Sequence, residues 1–429
     1  MIQHIFKIIW NERKANSWII LEYVLVFCIL WFCCDYLYYI AKCYYEPLGF
    51  DIHNTYSIRM TEKSFDESDP DTEIKRLDSE DEYAYALMLM ERLKQYPEIE
   101  NVSFSNAGMP YSGSTSSSDF VVNSDSVPLM IQVRYVSSEF FEVFRIKLTE
   151  GRFFDWTNPA DKDYVLISPD RNNFLGGFNN KASYPVSDVQ TLKHSYTNDD
   201  AFSVTGKTEK LKSKFFDPYT NTIFHPLKKE DVNLLYNEIA IRTRPNTAKG
   251  FEERFIKEMK ERLNIGPYMF SSISSLKKMQ KNAMEWSGVT NNLNSVYAIT
   301  LFLIINIFLG IIGTFWYRTE SRTSEIGLRI ALGSSKQKLK SFLYIETIFL
   351  LLISSVIGVN ICINIGQTGL LKALGIPQAD PVQVGSGIEQ YFINFIITFL
   401  FLAIVSLIAV WYPARQASNM HPAEALHEE

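Results

Sequence analysis

Cysteine is almost absent from most of this chain. Of five in 429 residues, Cys28, Cys33, Cys34 and Cys362 fall inside long apolar runs and Cys43 just beyond one, and none occurs from residue 44 to 361. The long polar middle is therefore expected to be held by its own core and not by disulfides, which roughly 240 residues can supply. Cys28, Cys33 and Cys34 have no histidine near them, so they read as small hydrophobes and not as metal ligands. The six histidines, at 4, 53, 194, 225, 421 and 427, are scattered. There is no His-Glu-x-x-His pair, no Gly-x-Ser-x-Gly elbow and no Cys-x-x-Cys, so no catalytic residue is assigned and a membrane-anchored enzyme is disfavoured. No Gly-x-x-x-x-Gly-Lys-Ser/Thr phosphate loop occurs either, which excludes that mode of ATP binding. The acidic run DESDPDTE at 66–73 lacks the spaced Gly and terminal Glu of a calcium loop and reads as solvated. No metal is expected.

A basic stripe is also missing. Residues 1–46 carry four basic and four acidic side chains and residues 291–429 carry eight of each, so the whole formal charge of −6 belongs to the middle. Nucleic-acid binding is excluded as a reading on that ground.

What the chain does have is four long apolar blocks, at 17–40, 293–317, 341–365 and 391–412. Each reaches the roughly 20 residues needed for a helix to cross a ~30 Å hydrocarbon layer. The first is too long for the apolar core of a signal peptide and no small-residue cleavage site follows it, so it is expected to be retained. Lys7, Arg13 and Lys14 precede the first block. Arg318, Arg322, Arg329, Lys336, Lys338 and Lys340 lie between the second and third, whereas only Lys372 lies between the third and fourth. The positive-inside rule then places segment 1–16, loop 318–340 and tail 413–429 in the cytoplasm, with 41–292 and loop 366–390 outside. The expected fold is a membrane protein of four transmembrane helices, with a large α+β extracytoplasmic domain between helices 1 and 2.

The outer segment supports that class. Residues 82–105 change from helical apolar spacing to strand-like alternation at Tyr96-Pro97. YSGSTSSSD at 111–119 reads as a flexible loop, 127–136, 202–211, 221–227 and 237–245 as strands, and 247–265 as an amphipathic helix with Phe251, Phe255, Met259 and Leu263 on one face.

In the cation-rich loop, Glu325, Ile326, Leu328, Arg329, Ala331 and Leu332 have helical spacing, and Gly333-Ser334-Ser335 can end one helix and start another. One reading is that its cations only anchor the loop to anionic headgroups. Two carboxylates, Glu22 and Glu346, each stand five residues inside a span, roughly 7–8 Å deep. A charge at mid-membrane costs about 2.5–3.5 kcal/mol, less near the boundary. Either they face the bundle and pair with Arg or Lys, or they snorkel to the interface; both readings stay open at this stage.

YVSSEFFEVFRIKLTEGRFF (135–154), RTSEIGLRIALGSSKQKLKSFLYIE (322–346), YPARQASNMHPAEALHEE (412–429) and the order of one span, a large outer domain and three spans together resemble the MacB/FtsX family of ABC transporter permeases. The resemblance implies mechanotransmission. A separate ATPase subunit carrying ATP-Mg would dock on the loop helix through Glu325, Ile326, Gly327, Leu328, Arg329, Ala331, Leu332 and Gly333, with no cofactor on this chain itself. Two permease chains, identical or paralogous, would pair in a bacterial inner membrane. A stiff second helix continuous with the outer domain near Trp286–Asn294 would carry their motion outward. The implied work is export of a peptide, lipid-linked or drug-like ligand, with room for a periplasmic adaptor and an outer-membrane channel. The rival implication is a signalling scaffold that regulates a partner such as a cell-wall hydrolase.

Overall fold

The computed structural model describes residues 13–63, 79–123, 125–177, 182–196, 201–332, 334–373, 376 and 388–419. The acidic run 66–73, Lys7, His4, His421, His427, Gly333 and the end of the tail lie outside them. The chain divides into two compact units, residues 1–44 with 288–429 and residues 45–287. The outer unit is thus slightly shorter than the expected 41–292, because helix α1 (Arg13–Tyr45) runs past its apolar block.

The outer unit begins with strand β1 (Thr55–Glu62), helix α2 (Ser79–Lys94) and strand β2 (Ile99–Asn106). Ala86, Leu89, Met90 and Leu93 bury one stripe of α2, and Tyr96-Pro97 ends it as expected. Strands β3 (Ser116–Val122) and β4 (Leu129–Val136) form an antiparallel pair. The Ser/Thr/Gly segment is therefore a loop only as far as Thr115. Ser117, Ser118 and Asp119 pair with Gln132, Ile131 and Met130, and that ladder overrides their weak strand propensity.

Next come helix α3 (Phe140–Val143), strands β5 (Leu148–Gly151), β6 (Tyr164–Ser168), β7 (Phe174–Gly176), β8 (Ser183–Pro185), β9 (Thr191–His194), β10 (Phe202–Thr208), β11 (Thr222–Pro226) and β12 (Glu238–Thr243), helix α4 (Phe251–Met259), strand β13 (Tyr268–Ser275) and helix α5 (Leu276–Trp286). Helix α4 is shorter than the expected 247–265 because Gly250, in a left-handed conformation (φ 77°), starts it late. Its apolar face is nonetheless as expected, with Phe251, Phe255, Met259 and Leu263 buried.

The sheet has two parts. Strands β2, β12, β1 and β13 form an open antiparallel arm, whose core takes the apolar faces of α2 and α4. Strands β4, β11, β6, β10, β9 and β3 close into a ring, because β11 pairs in parallel with β4 as well as antiparallel with β6. Phe120, Val133, Ile167 and Ile223 fill it. Within the stretch 135–154, the Phe140-Phe141 pair and the Gly151-Arg152-Phe153-Phe154 run are structural: Phe141 stacks on Phe153 with centroids 4.6 Å apart and meets Phe154 edge-on. Gly151 has φ 84°, and a Cβ there would lie 2.0 Å from the Thr205 carbonyl oxygen, so only glycine fits.

Just after α1, Glu46 meets two cations: Nζ of the fully buried Lys212 at 2.9 Å and Arg171 at 2.8 Å. Burial would raise the Glu46 carboxyl, but the two cations outweigh it and hold it below its ordinary value of 4.5. A depressed carboxylate adds stability above its unfolded pKa and loses it as pH falls through its folded one. Lys212→Met should therefore destabilise the outer unit by roughly 3 kcal/mol at neutral pH. Thermal melts should show the gap to wild type narrowing as the pH falls below 4.5; a gap that stays constant would exclude the pair as its source.

The second unit contains helices α6 (Val289–Ser321), α7 (Thr323–Ala331), α8 (Lys336–Gln367), α9 (Leu370–Ala373) and α10 (Ile388–Ser418). Four helices, at Asn16–Tyr45, Val289–Ser321, Lys336–Gln367 and Glu389–Ser418, are long and apolar enough to cross a membrane. The second span is not continuous with the last outer helix: α5 stops at Trp286, and Gly288 takes a left-handed conformation (φ 76°) before α6 begins. Leu301, Ile305 and Leu309 on α6, and Leu400, Ile404 and Ile408 on α10, form exposed apolar stripes suited to lipid and not to water.

Close approach of α1 to α8 depends on small residues, as expected between helices in lipid. A Cβ at Gly358 would meet Phe27 Cδ1 at 2.5 Å. The Ser354 hydroxyl donates to the Ile20 carbonyl at 3.3 Å, and the Cys28 thiol donates to the Gly358 carbonyl at 3.8 Å. Cys28 thus serves in helix packing; among the described residues no group of three or more His, Cys, Asp and Glu is placed to hold a metal ion. Gly358→Val should cost about 1–3 kcal/mol by overpacking, read as a lower melting temperature in detergent; an unchanged melt would mean that Phe27 moves aside freely.

Candidate functional site

The charged end of the bundle gathers residues from four elements. Arg318 lies in the last turn of α6, Arg322 is the single residue between α6 and α7, Glu346 lies about three turns into α8, and Asn16 in α1. Arg318 Nη1 donates to Glu346 Oε1 at 3.1 Å, and Arg322 Nη1 stands 3.5 Å from Glu346 Oε2. Arg318 Nη2 donates to Asn16 Oδ1, and its guanidinium lies over the Phe315 ring at 5.8 Å. The Glu346 side chain is 1% exposed and those of Arg318 and Arg322 are 8% and 14% exposed. Of the two readings of the membrane carboxylates, Glu346 takes the paired one. Its charge ties the end of the second span, the entry to α7 and the third span into one unit.

Glu22 behaves differently. Half-buried, with no ion pair among the described residues, it rests against Gly310 of α6, where a Cβ would lie 1.9 Å from Glu22 Oε1. A third carboxylate was not singled out in the sequence. Asp35 of α1 accepts from Gln390 Nε2 at 3.0 Å and from Asn394 Nδ2, both buried on α10. Its signal was present, since Gln390 and Asn394 are one helical turn apart and so share a face.

Helix α7 is the expected loop helix, and Ser335 starts α8 as expected, its hydroxyl accepting from the Lys338 backbone N–H at 3.3 Å. The two faces of α7 differ. Ile326 is buried in the bundle core, Ile330 packs against it, and Gly327 is buried. Leu328, Ala331 and Leu332 are exposed, Leu328 by 51% and Leu332 by 79%. This corrects one expectation: Ile326 serves the bundle, and the outward apolar surface is Leu328 with Leu332. Glu325 and Arg329 lie on α7, but their side chains are outside the described residues. Trp316, Tyr317, Trp411 and Tyr412 are exposed near this end, with Trp316 and Tyr412 rings 5.7 Å apart, the composition of a membrane-interface belt.

Residues 49–255 match the model of the MacB-like periplasmic core domain, and residues 297–422 match that of the FtsX-like permease C-terminal. The chain is a permease of the MacB/FtsX family. The permease is 24% identical over 304 residues to the macrolide export ATP-binding/permease protein MacB of Haemophilus ducreyi, covering 68% of this chain and 40% of that protein. It is also 24% identical over 195 residues to the pyoverdine export ATP-binding/permease protein PvdT of Pseudomonas savastanoi, covering 44% of this chain and 27% of that one. It thus spans about two fifths or less of the curated relatives named here. Among solved structures, the periplasmic region of MacB from Actinobacillus actinomycetemcomitans aligns over 56% of the permease and 97% of that region, at 15% identity and a TM-score of 0.32. The permease is a membrane protein of the ABC-transporter type, with an extracytoplasmic domain between its first and second spans.

Proposed function

We propose that this permease works by mechanotransmission, with α7 as the element on which an ATPase docks. ATP-Mg would bind that ATPase, which these 429 residues do not contain. The observation that carries the reading is the division of α7: its inner face is built into the bundle through Ile326, while Leu328 and Leu332, one helical turn apart, are left exposed. Pure headgroup anchoring accounts for Lys336, Lys338 and Lys340 but gives no role to two exposed leucines beside them. In this reading the membrane is a bacterial inner membrane, and this end, both termini and α7 face the cytoplasm, the orientation that the positive-inside rule favours.

In this reading ATP binding draws two permease chains together. Arg318, Arg322 and Glu346 transmit the displacement of α7 into α6 and α8, and the outer domain acts on a peptide, lipid-linked or drug-like ligand. An adaptor and an outer-membrane channel can extend the path. A strain lacking the protein tests export against the scaffold alternative. Loss of resistance or secretion, restored by the wild-type chain and not by Leu328→Asp/Leu332→Asp, is the expected result. Filamentous cells with secretion intact would overturn export in favour of regulation of a cell-wall enzyme.

A further inference from the structure

The serine-rich segment that the sequence marks out, and that coupling leaves unexplained, forms the rim of a cleft in the outer unit. The cleft has a volume of about 270 Å³. Residues 107–117 make its rim, Gln132 and Arg134 of β4 its floor, and Ser213, Lys214 and Asp217 its far wall.

Arg134 is the unusual group. It is 3% exposed and has no ion pair among the described residues. Its Nη2 donates to the Ser213 hydroxyl at 2.8 Å and its Nη1 to the Gly108 carbonyl at 3.5 Å, while Nε has no partner. A buried guanidinium normally lies against a carboxylate, because an uncompensated charge in the interior is costly. Glu238 and Asp217 act on Arg134 electrostatically, but neither forms an ion pair with it among the described residues; Glu238 Oε2 accepts from Gly108 N at 2.9 Å, Met109 N at 2.6 Å and the Ser105 hydroxyl at 2.8 Å, while its Oε1 has no partner. Burial pushes the Arg134 guanidinium down to about 10, against the opposing pull of Glu238 and Asp217.

The rim is also held in an unfavourable backbone shape. Ala107 (φ 54°) and Tyr111 (φ 63°) are non-glycine residues in the left-handed region, each at a cost of about 1–2 kcal/mol. Such strain collects at ligand clamps.

We propose that this cleft binds a small carboxylate-bearing ligand, with Arg134 receiving the carboxylate and the serine-rich rim its remaining polar atoms. The planar fork of arginine matches two coplanar oxygens. A carboxylate is favoured over a phosphate because Asp217 lines the same wall, and a single negative charge meets less repulsion there than a double one. Lys214 is engaged with the Trp286 ring, its Nζ 4.5 Å from the centroid, so Arg134 is left as the receiving cation. The cleft volume admits a terminal group or a small molecule and not a large one.

The test is calorimetric titration of the full chain in detergent with N-acetylalanine, its amide and inorganic phosphate. N-acetylalanine should bind saturably, and its amide at least about tenfold more weakly. Arg134→Met should lose at least about tenfold in affinity for the acid. Ser117→Trp, at an exposed rim position, should do the same by filling the mouth, and it decides the matter if Arg134→Met fails to fold. Equal binding of acid and amide, wild-type affinity in either folded variant, phosphate binding without carboxylate binding, or no heat from any probe up to about 10 mM would each overturn the proposal.

Discussion

Replacing Glu346 by leucine should destabilise the helical unit by roughly 3–5 kcal/mol. The carboxylate is 1% exposed and faces two guanidinium groups. Removing it leaves Arg318 with Asn16 as its remaining hydrogen-bond partner among the described residues, in surroundings made of Phe315, Leu339 and Leu343. Desolvation that the ion pair offset is then uncompensated. The informative comparison is the double variant Arg318→Met/Glu346→Leu, which removes charge of both signs. A buried pair replaced by apolar groups of similar volume is often neutral in stability, so the double variant should melt above the single one. If the two melt alike, the carboxylate and Arg318 do not act as a pair and the tie between α6 and α8 lies elsewhere. Because Arg322 also approaches Glu346, the double variant should still fall short of wild type.

Gly327→Pro should have the largest effect on function. Gly327 is the fifth residue of the nine in α7 and is buried. Proline there removes an intrahelical N–H and sets its ring against the carbonyl of residue 323, a penalty of about 3 kcal/mol or more, which a helix of this length does not survive. With α7 broken, Leu328 and Leu332 no longer stand one turn apart on a helix seated by Ile326. If α7 is the element on which an ATPase docks, ATP hydrolysis by that ATPase should then no longer depend on the permease. Gly327→Ala serves as the control, since it favours the helix by up to about 1 kcal/mol while adding a single methyl group. Full transport by the proline variant would show that α7 does not couple.

Much of the architecture was legible because it follows from long-range composition. Four apolar blocks and the polar middle mark the spans and the outer domain, and the alternation at Ile99, Val102 and Phe104 marks a strand whose partners need not be known. What failed to show was pairing between distant residues. The ring closes through β4 and β11, which lie 86 residues or more apart between Val136 and Thr222, and no local pattern announces a parallel contact. Glu346 was recognisable as an expensive charge, but its partners stand 28 and 24 residues earlier on other elements. Helix α7 carries apolar residues on several sides, at Ile326, Leu328, Ile330, Ala331 and Leu332. Periodicity alone could not say which of them faced the bundle. The shared face of Gln390 and Asn394 is legible in α10, but it lies 355 residues beyond Asp35, and only the fold brings the lone acid beside it.

The most direct measurement is co-purification of the tagged protein from its native membrane, wild type beside Leu328→Asp/Leu332→Asp, with the ATP hydrolysis of each preparation assayed. Coupling through α7 predicts that an ATPase accompanies the wild type and is lost from the variant while the variant still folds and reaches the membrane. An ATPase retained equally by both, or absent from both under conditions that preserve membrane complexes, would contradict it.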